Sequence, residues 1–143
     1  MSDIKITETL FQLIPFIESK FMRPVDQHYA GEMTPVQIRV LLYIKEKSSL
    51  TMTTLANEMM MSKQQLTPLV KDLVLKKLVQ REHDPNDGRV IRISLTPLGL
   101  KWHDTLTAYT LNMLKAKLDN LDETDLNCLY NALTDLYNVL QKI

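Results

Sequence analysis

Glycine is nearly missing from this chain. There are three in 143 residues, alongside one cysteine, one tryptophan and no net charge at neutral pH. So few glycines leave little room for a phosphate-cradling loop. Neither G-x-S-x-G nor H-E-x-x-H occurs, so no catalytic centre and no cofactor are expected. The lone Cys128 excludes an internal disulfide framework and fits a reducing compartment. His28, His83 and His103 stand far apart, with no pair at the i, i+4 spacing of metal ligands, so no metal site is expected. No apolar run approaches the roughly 20 residues that cross a bilayer. The opening MSDIKITETL lacks the basic start and apolar core of a secretory leader. Together these absences predict a cytoplasmic, non-enzymatic protein without a membrane partner. The length predicts a single domain over residues 1–143.

What is present is ordinary in amount and uneven in placement. Apolar residues make up 45% and charged residues 24%, enough for a packed core and too apolar for a disordered chain. Between Ser62 and Arg92, seven cations (Lys63, Lys71, Lys76, Lys77, Arg81, Arg89, Arg92) face four acids (Asp72, Glu82, Asp84, Asp87). The end of the chain reverses this, with Asp119, Asp122, Glu123, Asp125 and Asp135 against Lys117 and Lys142. A neutral sum thus hides a basic middle, and for nucleic-acid binding the distribution matters more than the sum.

Periodicity predicts a mainly α protein with one small β element. Ile6, Leu10, Leu13, Ile17 and Phe21 recur at helical spacing over the first thirty residues, with Pro15 expected to kink the helix. Thr34 followed by Pro35 reads as a helix start, and Ile38, Leu41, Leu42 and Ile44 as its buried face. Two short helices follow. The first begins at Thr51 or Thr53. The second begins at Ser62, where S-K-Q-Q is a capping-box pattern with Gln65 at N3. Two helices joined by a few residues, the second amphipathic and basic, suggest a helix-turn-helix. After Leu78 the period falls to two on either side of D-P-N-D-G, which predicts a β-hairpin with Gly88 supplying positive φ at its tip. A long helix from about Leu98 to Leu121 comes next, then a last helix capped by Asp122. Its Leu126, Leu129, Leu133, Leu136 and Leu140 follow a 3-4-3-4 spacing, an a/d seam that fits either packing within the chain or a second subunit.

The segments LTMTTLANEMMMSKQQLTPLVKDLVLKKLV and DPNDGRVIRISLTPLG carry a resemblance to the MarR (multiple antibiotic resistance regulator) family of transcription factors. Within the second, Asp87-Gly88-Arg89-Val90-Ile91-Arg92 matches the family's D-x-R-x-x-R wing, followed by its L-T-x-x-G. The resemblance covers nearly the whole chain. It implies a winged helix-turn-helix lobe over 34–97 and helical dimerisation segments over 1–30 and 98–143. It also implies a homodimeric repressor on double-stranded DNA with a pseudo-palindromic operator. The second helix would enter the major groove with Ser62, Lys63, Gln64, Gln65, Thr67 and Lys71. In the wing, Asp87, Gly88, Arg89 and Arg92 are the expected DNA-binding set. Arg89, held outward by Asp87, would enter the minor groove, whose negative potential suits a planar cation. Ile6, Leu10 and Leu13, with the leucines of the last helix, would form the dimer face. The family also implies a small aromatic or phenolic effector, for which Arg23, His28, Tyr29, Tyr43 and Trp102 are the candidates. Two residues depart from the pattern: Pro68 lies inside the second helix, and Met60 stands where the turn often has glycine. The competing reading is a helical protein-interaction module whose wing contacts protein.

Overall fold

Short polar side chains start the helices. In the computed structural model, which describes residues 2–143, Thr34 Oγ1 accepts from Gln37 N while Gln37 Oε1 accepts from Thr34 N. This capping box opens α3 (Pro35–Lys47), with Pro35 in the first turn where no N–H is needed. Ahead of it, α1 (Asp3–Ile17), a π-helical turn (Glu18–Met22) and α2 (Arg23–His28) form one continuous helical run. The α-helix passes through Pro15, and the irregular turn ends just before Pro24. The carbonyl that Pro15 deprives of a donor belongs to Phe11, which is 80% exposed, so it is not left unpaired in a dry interior. Pro24 falls within the run and crowds the preceding turn, which widens to i, i+5 spacing.

Beyond α3 come β1 (Leu50–Thr51), α4 (Met52–Glu58) and α5 (Lys63–Leu75), then β2 (Val79–His83) and β3 (Ile91–Leu95). The β element is larger than the predicted hairpin. It is a three-stranded antiparallel sheet in the order β1-β3-β2, with Leu50 opposite Ile93 and Val79 opposite Leu95. A two-residue strand is too short to show a period, so β1 left no mark on the pattern. Its burial explains it: Leu50 and Ile93 lie in the core with Ile38, Leu41, Ile44, Leu55, Leu66, Val70 and Leu73. One side of this core is α5, so the basic helix is fixed through its own apolar stripe. An Arg39–Asp26 ion pair with both N–O contacts at 3.3 Å braces α3 against α2.

A close corner joins α5, the sheet and α6 (Pro97–Leu118). Lys77 takes φ +61° beyond the end of α5, and the Leu78 carbonyl accepts from Thr96 N at 3.1 Å. Thr96 Oγ1 donates to the Lys77 carbonyl and accepts from Gly99 N, capping α6. Gly99 lies against the Leu78 carbonyl so closely that a Cβ there would overlap its oxygen. This contact gives the glycine of L-T-x-x-G its physical meaning.

The chain divides into a unit that ends at Thr107 and a second from Ala108 to Ile143, with α6 running from one into the other. In the second unit, Asp122 accepts from Asp125 N at 2.8 Å and caps α7 (Glu123–Leu140). No residue of α7 is buried: Leu126, Leu133 and Leu140 are exposed, Leu129 and Leu136 half-buried. In the first unit α1 likewise buries nothing. Ile6 is exposed, Leu10 and Leu13 are half-buried, and Ile4, Phe11, Ile14 and Phe16 are exposed beside them. No helix among the described residues is long and apolar enough to cross a membrane.

Candidate nucleic-acid interface

The start of α5 is organised by its cap. Ser62 Oγ accepts from Gln65 N at 3.1 Å, and Gln65 Oε1 accepts from Ser62 N at 3.0 Å, the reciprocal box anticipated from S-K-Q-Q. The box changes what Gln65 can offer. Its carboxamide oxygen is committed to the cap, which leaves Nε2 for an outside partner and removes the bidentate pairing that adenine would need. Lys63 and Gln64 stand exposed in the first turn, with Lys71 exposed two turns on. Thr67 Oγ1 donates to the Lys63 carbonyl at 2.6 Å, which turns its methyl group outward. Pro68 does not break α5, because the carbonyl it leaves without a donor belongs to exposed Gln64. Met60 does hold the turn position in the left-handed region, at φ +52°, and is 94% exposed.

The wing tip is built on two aspartates. Asp84 Oδ1 accepts from Asn86 N at 2.8 Å and Asp87 N at 3.2 Å, while Oδ2 accepts from Arg92 Nε at 2.6 Å. The Arg92 hydrogen bond, joined by those backbone N–H groups, holds the Asp84 carboxyl below its usual range against the opposing effect of burial. Arg92 is therefore a brace. Its Nε is spent inside the wing, and only 43% of its side chain is exposed. Asp87 Oδ1 accepts from both Arg89 N and Arg89 Nε, at 3.1 and 3.2 Å. The Arg89 side chain is nevertheless 92% exposed, so the pair steers the guanidinium without covering it. His83 Nδ1 donates to the Gly88 carbonyl at 2.7 Å and closes the loop across its width.

The role expected of Gly88 is corrected. Its φ is not in the left-handed region, and a Cβ there would meet nothing within 4 Å. Side-chain carboxylates turn this loop by capturing successive N–H groups, so backbone freedom is not what the tip requires.

Between the wing and α5 lies a cleft of about 400 Å³, lined by Thr51, Met52, Thr53, Lys63, Thr67, Arg81, Arg89, Val90 and Ile91. Three of those side chains are cationic and none is acidic. Arg81 had been counted among the basic residues but given no role. The pattern hid it, because period two puts it on the strand face of Val79, which is buried in the core, whereas Arg81 is exposed.

The aromatic candidates do not form one site. Tyr29 packs edge-on to His28 at 4.8 Å and tilted against Trp102 at 5.2 Å, and Tyr29 is buried. Arg23 is exposed at the start of α2. Tyr43 belongs elsewhere: it hydrogen-bonds Glu58 of α4, and burial followed by that bond pushes its phenol pKa upward. Its removal from the set has a simple cause. Helical phase places it on the side of α3 that faces α4, with Lys47 over its ring at 5.9 Å.

Comparison with known proteins agrees with this geometry. A family model described as MarR family matches residues 32–90. The HTH-type transcriptional repressor MdtR of Bacillus subtilis (strain 168) is 32% identical over 108 residues, which are 74% of this chain and 66% of that protein. The chain thus aligns with just under two thirds of that relative's length. Among solved structures, apo MarR from E. coli aligns with a TM-score of 0.79 at 23% identity, covering 89% of this chain and 95% of that one. A mutant of S. aureus MepR bound to an oligodeoxyribonucleotide aligns with a TM-score of 0.68 at 24% identity, covering 92% and 97%. A capped basic helix, an aspartate-built wing and a family match that takes in that helix and the wing tip place this chain in the MarR family of winged helix-turn-helix regulators.

Proposed function

We propose that this protein is a homodimeric, sequence-specific DNA-binding regulator that represses transcription from a pseudo-palindromic operator. The observation that carries the reading is the Arg89 side chain, 92% exposed yet held by Asp87 at 3.2 Å, beside a cleft whose charged residues are all cations. A solvated surface ion pair contributes only about 0–1 kcal/mol to stability, so folding gives little reason for this arrangement. Entry into a narrow minor groove gives a better one, because the guanidinium arrives already oriented. Arg81, in the same cleft, then lies where phosphates flank the groove. Lys63, Gln64 and Thr67 face base edges in the major groove, and the Gln65 amide contributes as a donor only.

Dimerisation supplies the second half-site, about one helical turn away. The support is exposed apolar surface: Leu126, Leu133 and Leu140 on α7 and, separately, Ile4, Ile6, Phe11 and Ile14 on α1. Each large side chain left in water forgoes about 1.5–3 kcal/mol of burial, and a second copy would recover it. The repressor named above and the oligonucleotide-bound relative favour DNA as the partner over a protein. Release by a small aromatic or phenolic effector belongs to the same reading, with Tyr29 and Trp102 as the aromatic pair beside which it would bind.

Fluorescence anisotropy on DNA from upstream of the gene, at two salt concentrations, tests this reading with wild type and Arg89→Ala. The expected result is salt-sensitive binding, with log K falling by about 0.9 per phosphate contacted for each tenfold rise in salt. Arg89→Ala should weaken it. Equal binding by the variant would remove the wing from the mechanism. Failure of the wild type to distinguish any duplex from random DNA would favour the protein-interaction module.

A further inference from the structure

One polar cluster lies outside the interface just described. Gln37 is 3% exposed, among the described residues the one buried polar side chain in an apolar core. Its Oε1 caps α3, and its Nε2 donates to Asp72 Oδ2 at 2.7 Å and to the Leu69 carbonyl at 3.4 Å, both on α5. Asp72 also pairs with Lys76 Nζ at 2.9 Å, and that ammonium donates to the Glu32 carbonyl at 2.6 Å. Glu32 lies in the turn between α2 and α3, just after Gly31 at φ +91°. Thus one chain of bonds runs from the start of α3, across α5, to the turn that follows α2.

We propose that this cluster sets the rotation of α5 about its own axis, and that Asp72 is a positioning residue for sequence recognition. The inference rests on the DNA-reading function proposed above. Its argument is geometric. Successive residues turn by about 100° around a helix. Leu69, Asp72 and Lys76 therefore share a stripe that is neither the core stripe of Leu66, Val70 and Leu73 nor the exposed stripe of Gln64, Thr67 and Lys71. Apolar packing resists translation of α5 into or out of the core, but it is non-directional and tolerates a small roll. Directional bonds on a third stripe oppose that roll. A roll of about 10° moves a side chain some 6 Å from the helix axis by roughly 1 Å, enough to spoil a hydrogen bond to a base edge.

Asp72→Asn separates positioning from plain electrostatics, because the two predict opposite signs. Removing an acid from the DNA-binding helix raises the local positive charge, so electrostatics alone predicts tighter binding to every duplex. A released α5 predicts weaker binding to the specific duplex only. The probe is a duplex that the wild-type chain enriches from a randomised library, set against a scrambled duplex of the same composition. Binding is read by anisotropy at a temperature where circular dichroism shows every variant folded. For Asp72→Asn we expect a roughly tenfold loss on the enriched duplex, the effect of one misaligned base contact, with scrambled DNA bound equally or more tightly. Gln37→Met, which changes no charge, should lose the same discrimination and leave scrambled binding unaltered. If both variants keep the wild-type ratio between the two duplexes, or Asp72→Asn tightens binding to both alike, the positioning role is overturned. If the wild type enriches no sequence, the DNA-reading function falls and this inference falls with it.

Discussion

The corner at Gly99 offers the sharpest test of how this fold is held. A Cβ on Gly99 would overlap the Leu78 carbonyl oxygen and lie 2.9 Å from its carbon. Both are backbone atoms, and that oxygen also accepts from Thr96 N at 3.1 Å, so it has no free direction in which to yield. In Gly99→Ala the start of α6 must therefore move away from Leu78. Overpacking of this kind costs about 1–3 kcal/mol. The movement also weakens the Thr96 Oγ1 cap on Gly99 N, worth about 1 kcal/mol. Against these, alanine gains up to ~1 kcal/mol of helix propensity. The balance is a loss of roughly 2 kcal/mol, or a fall of about 4–8 °C in melting temperature for a chain of this size.

The assay is urea and thermal unfolding at one fixed protein concentration, since association would otherwise shift the midpoint. Gly88→Ala is the matched control. It adds the same methyl where nothing lies within 4 Å and φ is not left-handed, so stability should stay within about 0.5 kcal/mol of wild type. A Gly99→Ala protein as stable as wild type would refute the reasoning, because it would mean that α6 slides on the sheet without cost. Leu78 also leads directly into β2, so the displaced variant should bind DNA more weakly than its stability alone predicts.

Three further outcomes follow from the same structure. Met60→Gly should raise stability by about 0.5–1 kcal/mol in urea unfolding. It relieves φ +52° at a side chain 94% exposed, and part of the gain is offset by the freer unfolded chain. The wing should resist acid: Arg92 and then the Asn86 N–H depress the Asp84 pKa in the folded state, so its contribution is complete above the ordinary aspartate value near 3.9 and disappears only as pH falls through the lower folded value. Amide chemical shifts of Asn86 and Asp87 should report that late transition, and Asp84→Asn should abolish it. Trp102, the sole tryptophan, packs at 5.2 Å from Tyr29, so a phenolic anion binding beside the pair should change its emission saturably. No change with salicylate or benzoate at millimolar concentration would move any such site away from these rings.

What the sequence disclosed, and what it withheld, divides by the range of the interaction involved. The caps at Thr34, Ser62 and Asp122 were legible because donor and acceptor lie three residues apart in the chain. The helix stripes were legible because burial repeats with the helical period. The Asp87–Arg89 pair was legible because its partners are two residues apart. By contrast, β1 exists only through its pairing with Ile93, more than forty residues later, and Gln37 meets Asp72 across a separation of 35. Gly99 looked like a family habit until its approach to Leu78 gave it a cause.

Gly88 shows the opposite error, in which a local rule read too much. Glycine in a hairpin suggests a φ that only glycine likes, yet Asp84 and Asp87 turn this tip with their carboxylates. The distinction matters for function. A wing that depended on glycine would be a loose hinge on the DNA, ordered only on binding. A wing tied by Asp84 to Arg92 at 2.6 Å has already lost that freedom, so Arg89 can enter a groove without the entropic cost of ordering the loop behind it. In the proposed mode of binding Arg92 would serve through this tie, because its Nε is spent on Asp84, which makes the neighbouring arginine's position definite.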